Sequence, residues 1–406
     1  MPLLPIVPAA DWERPAAGAS EAAERDARAI LADIRERGDA AVAAHSERLD
    51  GFAPEAIELA PFDDYGLDAE LAGAIRLAHR RIERFAEMQR ESYADRRFTD
   101  ETGTYGQRVV PVGSVGAYVP GGRHPLVSTA LMTLVPAAVA EVPVRVAVSP
   151  SRHPAVLAAC SLAGATRFVH LGGAQAVGAL AYGSRWTPAV DLVVGPGNAW
   201  VAAAKSLVQG TVGIDTVAGP SEVLVIAGPD ADAEWLAWDL VAQAEHDPLA
   251  FSVLVSWDRP LLDAVAARLA AMPEAAEPAA RGGLQLVLAD GVDGAVALSN
   301  RMGPEHLHVH SESVPAASLT SYGSLFLGAE SAVALGDYVS GPNHTLPTGG
   351  YARVKGGLSV GDFLRVLTWQ RVTPQGLARL GPAAAALADA EGLAGHAESV
   401  RARLRG

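Results

Sequence analysis

From Val109 onward the chain alternates short apolar runs with helical stretches, and that rhythm restricts it to an α/β fold built on largely parallel sheet. The runs 144–148, 168–171, 192–194, 223–226 and 252–255 read as strands. Between them, 154–163, 174–181, 199–208 and 233–245 read as helices, the first opened by Pro154, at a position where a helix tolerates proline. A second series continues through 284–288, 294–300, 307–309 and 324–327.

Ahead of this series the chain is helical. Ser20, Glu21 and Glu24 open a stretch to Leu49 with Ala27, Ile30, Leu31 and Ile34 at helical spacing, interrupted by Gly38. A second helix is expected over 67–93, and 374–405 reads as a helical tail. At roughly 150 residues per domain, 406 residues allow two to three domains. A net charge of −14 argues against a nucleic-acid partner or an anionic membrane surface. The longest apolar run, 130–140, contains Thr133 and Pro136 and is too short to span a bilayer. Met1 to Pro15 lacks the basic start of a signal peptide, so a cytoplasmic enzyme is expected. Cys160 is the single cysteine, so a metal site here must use nitrogen and oxygen ligands.

Four of the eleven histidines, His246, His306, His344 and His396, sit among glycines, carboxylates and prolines. The others, His308 and His310 included, read as ordinary surface, turn or core residues. Gln243 and His246 lie three apart at a helix end, which suits two metal ligands and equally a histidine complementing the helix dipole. The loop from Gly336 to His344 can bring Asp337 and His344 together as ligands, or serve only as a rigid turn. Glu305 and His306, adjacent in a loop between a helix and a strand, can serve two separate proton transfers, or be two exposed polar residues of an ordinary loop, which taken alone is the simpler reading. Glycine turns at 172–175 and 195–198 follow strands and open helices, where amides can meet phosphates, but neither completes GxGxxG.

Taken together, the motifs resemble the histidinol dehydrogenase family. The segments are VGAYVPGG (115–122), GGAQAVGALAYGS (172–184), VGPGNAWVAAAK (194–205), GIDTVAGPSEVLVIA (213–227), QAEHDP (243–248), GPEHL (303–307), GDYVSGPNHTLPT (336–348) and AEGLAGH (390–396). The resemblance implies zinc- and NAD-dependent oxidation of L-histidinol to L-histidine through a bound aldehyde, with manganese as a substitute metal. By the same resemblance the zinc ligands are Gln243, His246, Asp337 and His396, and the catalytic pair is Glu305 and His306. Substrate contacts match Ser221, His344 and Glu391, joined by His306 and the zinc ligands; cofactor contacts match Tyr118, Gln175 and Asn198. The implied fold is α/β, two incomplete Rossmann-like domains with an N-terminal helical arm and a C-terminal helical tail. Its expected divisions are an arm at 1–19, a discontinuous domain of 20–117 and 222–360 carrying metal and catalytic residues, an inserted NAD-side domain at 118–221, and a tail at 361–406. That tail is expected to reach the partner's active site in a homodimer.

Two alternatives remain. Gly121-Gly122-Arg123 and Thr345 to Thr348 also occur in related zinc and NAD dehydrogenases acting on other polar alcohols, including a sulfonated propanediol, and Arg123 could answer an anionic group. A metal-dependent hydrolase could use the same cluster, but it leaves the two glycine turns unexplained.

Overall fold

The computed structural model describes residues 4–15, 21–121, 125–217, 219–245 and 247–406. Ser20, Arg123 and His246, singled out above as a cap, a specificity candidate and a ligand candidate, lie outside the described residues.

The chain opens with β1 (Ile6–Pro8), α1 (Glu21–Arg37), α2 (Asp39–Leu49), β2 (Glu55–Ile57), α3 (Ala69–Arg90), β3 (Arg96–Thr99) and β4 (Gly103–Pro111). A strand–helix series follows: β5 (Ser114–Tyr118), α4 (Val127–Val139), β6 (Val144–Ser149), α5 (Pro154–Leu162), β7 (Arg167–His170), α6 (Gly173–Tyr182), β8 (Leu192–Val194), α7 (Ala199–Val208) and β9 (Gly213–Ile214). A second series comprises β10 (Glu222–Ala227), α8 (Ala233–Ala244), β11 (Phe251–Ser256), α9 (Arg259–Ala271), α10 (Ala276–Ala280), β12 (Leu284–Leu288), α11 (Gly291–Met302), β13 (His306–Val309) and β14 (Ser324–Leu327). The chain ends with α12 (Val333–Tyr338), β15 (Leu364–Val372), α13 (Pro374–Ala390) and α14 (Ala394–Arg405).

Two six-stranded sheets result, ordered β2-β7-β6-β5-β8-β9 and β1-β12-β11-β10-β13-β14. In each, the five strands of the strand–helix series are parallel and run 3-2-1-4-5 in their own chain order. That is the Rossmann order short of its sixth strand, with one more strand on the outer edge, antiparallel β2 in the first sheet and parallel β1 in the second. The central strands carry the burial the sequence suggested: every residue of β10 and β11 is buried, as fits strands covered on both faces. Helix starts are set by side chains. Asp232 caps α8 through the amides of Glu234 and Trp235, and Asn198 caps α7 through those of Trp200 and Val201.

Three features depart from the sequence reading. The N-terminal arm is not helical where it is described: Ile6–Pro8 forms β1, paired parallel to β12. Helices α1 and α2 bury Ala27, Ile30, Leu31, Ile34 and Val42 against α6, α7 and the first sheet, and β2 pairs with β7. Residues 21–57 therefore sit with the sheet formed by β5 to β9 and not with the 222–360 unit, because that is where their apolar faces are matched. The tail is only partly helical. Leu364–Val372 pairs antiparallel with β4, and the helical stretch breaks at Gly392 (φ 75°) between α13 and α14.

Candidate active site

The first sheet positions its ligand-facing loops at the carboxyl ends of its strands, beside the switch point between β5 and β8. Tyr118 ends β5, is buried, and its hydroxyl accepts the Gly173 amide at 3.2 Å. Burial, against the pull of that amide, pushes the phenol up to about 12. Gln175, fully buried in the first turn of α6, donates through Nε2 to Asp50 Oδ2 at 2.9 Å. Its Oε1 is buried with no hydrogen-bond partner among the described residues. Asp50 also accepts the Gly172 amide at 3.0 Å, so a residue beyond the end of α2 organises this turn. No local sequence signal marked it.

The second glycine turn is tied from below. Gly195 adopts φ 110°, and a Cβ there would run into the Tyr118 carbonyl. Asp215 accepts the Gly195 amide at 2.8 Å, and Lys205, ion-paired with Asp215, donates to the Gly195 carbonyl at 2.8 Å. Lys205 and Asp215 are both buried. Asn198 is exposed, with its Oδ1 committed to the α7 cap.

In the second sheet the candidate chemistry lies at the opposite edge, the amino ends of β10 and β13. Glu305 and His306 are both buried there. Glu305 accepts the Glu222 amide at 2.9 Å and a hydrogen bond from the Ser221 hydroxyl. Glu222 itself is buried and ion-paired with Arg14, which also donates to the Met302 carbonyl. Across from the pair, Asp337 Oδ1 stands 3.5 Å from His306 Nε2, while Glu305 Oε2 stands 3.7 Å from His306 Nδ1. Neither ring nitrogen of His306 has a hydrogen-bond partner among the described residues.

Burial raises Glu305 to about 7; Asp337 adds to the rise, and His306 and Ser221 oppose it. His306 is also raised: burial depresses it, but the charges of Glu305 and Asp337 together outweigh burial. Both groups are thus shifted upward by their surroundings, the kind of perturbation that acid–base sites show.

Asp337 sits in α12, and its carbonyl accepts from His344 Nδ1 at 2.8 Å. His344 Nε2 is 3.4 Å from Thr129 Oγ1, and Asn343 donates to the Met132 carbonyl at 2.6 Å, so this loop docks on α4 of the first sheet. Gln243 lies in the last turn of α8, with both amide atoms buried and unpartnered among the described residues. Val241 and Ala244 at the end of α8 share a buried core with Val333 of α12, so the end of α8 faces α12. The buried, unpartnered amide of Gln243, on the helix end that faces the Asp337 carboxylate, is a donor that fits a zinc-class cation together with that carboxylate.

The structure therefore gathers Ser221, Glu305, His306, Asp337 and His344 around one locus, with Gln243 on the facing helix end. Glu391 and His396 are elsewhere: both are exposed on the tail, whose helices pack mainly on one another.

Comparison with known proteins places the whole chain in a family. The family model described as histidinol dehydrogenase matches residues 13–404. A histidinol dehydrogenase of Rhizobium meliloti is 45% identical over 398 residues, covering 93% of this chain and 91% of the relative. A "histidinol dehydrogenase homolog" of Ruegeria pomeroyi is 43% identical, covering 92% and 91%. The crystal structure of histidinol dehydrogenase from Elizabethkingia anophelis superposes with a TM-score of 0.89 at 33% identity, covering 97% of this chain and 94% of that one. With nearly the whole length matched in sequence and in fold, this chain belongs to the histidinol dehydrogenase family.

Proposed function

We propose that the chain oxidises L-histidinol to L-histidine in two successive steps through an L-histidinal that stays bound, reducing two NAD. The observation that carries this reading is the buried Glu305–His306 pair facing Asp337, both groups shifted upward, Glu305 by burial and His306 by the neighbouring carboxylates. When bound, zinc (or manganese) held by Gln243, His246, Asp337 and His396 would fix the substrate nitrogens, and NAD near Tyr118, Gln175 and Asn198 would accept hydride in each oxidation.

The chain's own residues do the proton chemistry. His306 takes the proton of the substrate hydroxyl as the alcohol is oxidised, its basicity raised by two neighbouring carboxylates. Glu305 then takes a proton from the water that hydrates the aldehyde, while the Ser221 hydroxyl and the Glu222 amide hold its carboxylate in place. His344 and Glu391 contact the polar end of the substrate. The orphaned Oε1 of Gln175 and the helix starts after β7 and β8 support the cofactor side.

Two further points belong to the same reading. The protein works in the cytoplasm as a homodimer whose tails cross, each supplying Glu391 and His396 to the other subunit's site. Exposed Leu380, Leu387 and Leu393 on that tail support crossing, as does the exposure of the two polar residues themselves. Among the described residues no helix is long and apolar enough to cross a membrane.

The test is a substrate panel followed at the NADH absorbance. Histidinol should yield two NADH per molecule, and a sulfonated propanediol little or none. Preference for the sulfonated diol overturns the substrate assignment. Metal-dependent hydrolysis without NAD reduction overturns the reaction class.

A further inference from the structure

Strand β13 alternates strictly. Leu307 and Val309 enter the core on one side, which leaves His306 and His308, and His310 just past the strand end, to the side covered by α8. The mechanism uses His306 alone. His308 and His310 meet Asp239 of α8, one helical turn before Gln243. His308 Nδ1 is 3.3 Å from Asp239 Oδ2, His310 Nε2 is 3.4 Å from the same oxygen, and the two nitrogens are 3.2 Å apart.

Those three atoms form a nearly equilateral triangle. In a tetrahedral site the ligand atoms stand roughly 1.6 bond lengths apart, so a triangle of this size seats an ion about 2.0 Å from each corner, the length of a zinc bond to imidazole or carboxylate. The protonation pattern points the same way. His308 Nε2 lies 3.0 Å from the Gly328 carbonyl, which can only accept, so Nε2 carries the proton. In the neutral ring that leaves a lone pair on Nδ1, directed at a carboxylate. A metal-bound histidine has this arrangement: one nitrogen free to ligate, the other donating to a backbone carbonyl. His310 Nδ1 is buried with no hydrogen-bond partner among the described residues, so one polar atom of the pair is left unmet by protein groups. Both histidine side chains are fully buried, whereas the Asp239 side chain is 17% exposed. That edge gives an ion, and a water as fourth ligand, a way in.

The cluster is separate from the active site. His306 and His308 are one strand repeat apart, about 6.6 Å, and the Phe326 ring lies 6.0 Å from the first and 6.2 Å from the second, an apolar group beside both.

We propose that Asp239, His308 and His310 form a second divalent-cation site of the zinc class, structural in role, that clamps α8 onto β13. The clamp joins the helix carrying Gln243 to the strand carrying His306, and so would steady the active site from behind. The proposal does not depend on the catalytic reading.

The experiment uses the full-length protein, stripped with a chelator, reloaded with Co²⁺ or Zn²⁺ and freed of excess ion by gel filtration. Metal per chain and the visible absorption of Co²⁺ are then measured. Two ions per chain are expected for the unmodified protein and one for Asp239→Asn/His310→Gln. The variant Asp337→Asn/His396→Ala should keep one ion with a tetrahedral Co²⁺ spectrum. That spectrum decides the matter even if the first variant does not fold. A single ion kept by Asp337→Asn/His396→Ala and lost from Asp239→Asn/His310→Gln supports this site and removes the catalytic-metal assignment. No cobalt on Asp337→Asn/His396→Ala, or full loading of Asp239→Asn/His310→Gln, overturns the proposal.

Discussion

Glu305 is the residue whose surroundings most constrain the reaction. With its carboxyl raised to about 7 by burial, it is largely protonated at pH 6 and largely ionised at pH 8. A protonated carboxyl cannot take a proton from water, so oxidation of the aldehyde should climb with pH through a limb near 7. In Glu305→Gln that limb should vanish and aldehyde oxidation should fall by about 10²–10⁴-fold, while alcohol oxidation is spared in single turnovers. Equal slowing of both half-reactions would show that one residue serves both steps.

At the scale of elements, the turn after β8 depends on a buried ion pair more than on its own glycines. Lys205 on α7 and Asp215 beyond β9 grip the two sides of Gly195. Lys205→Met leaves Asp215 buried with its countercharge gone, a change worth roughly 3–5 kcal/mol. We expect a lower urea midpoint and, at concentrations where the protein is still folded, weaker NAD binding by tryptophan quenching. Unchanged NAD affinity in a folded Lys205→Met protein would mean that this turn does not contact the cofactor.

For the whole molecule, the question is which chain completes each active site. Mixing His306→Ala with His396→Ala after dissociation and reassociation distinguishes the two arrangements. If the tails cross, both lesions fall in one site of the mixed dimer and the other site is intact. Activity should then return to roughly a quarter of wild type under random pairing. If each tail serves its own chain, every site carries a lesion, and a verified mixed dimer stays inactive.

Local chemistry made much of this protein readable in advance. Apolar period and caps define strands such as β10 and β11 and the start of α8 within a residue or two, because burial on both faces and a capping side chain are written in consecutive residues. The motif loops are equally contiguous, which is why Glu305, His306 and Asp337 could be named from the chain alone. What lay beyond reach involves partners far apart in sequence. Nothing around Ile6 announces that it pairs with Leu286, since an edge strand of three residues carries no period. Nothing around Asp50 announces Gln175. His308 and His310 looked ordinary in HLHVH, and they still would if α8 had packed one turn differently. Strand alternation puts both rings on one face, but only the docking of that helix brings Asp239 to them across 69 residues of chain, because tertiary packing, and not local propensity, decides which side chains share a buried volume.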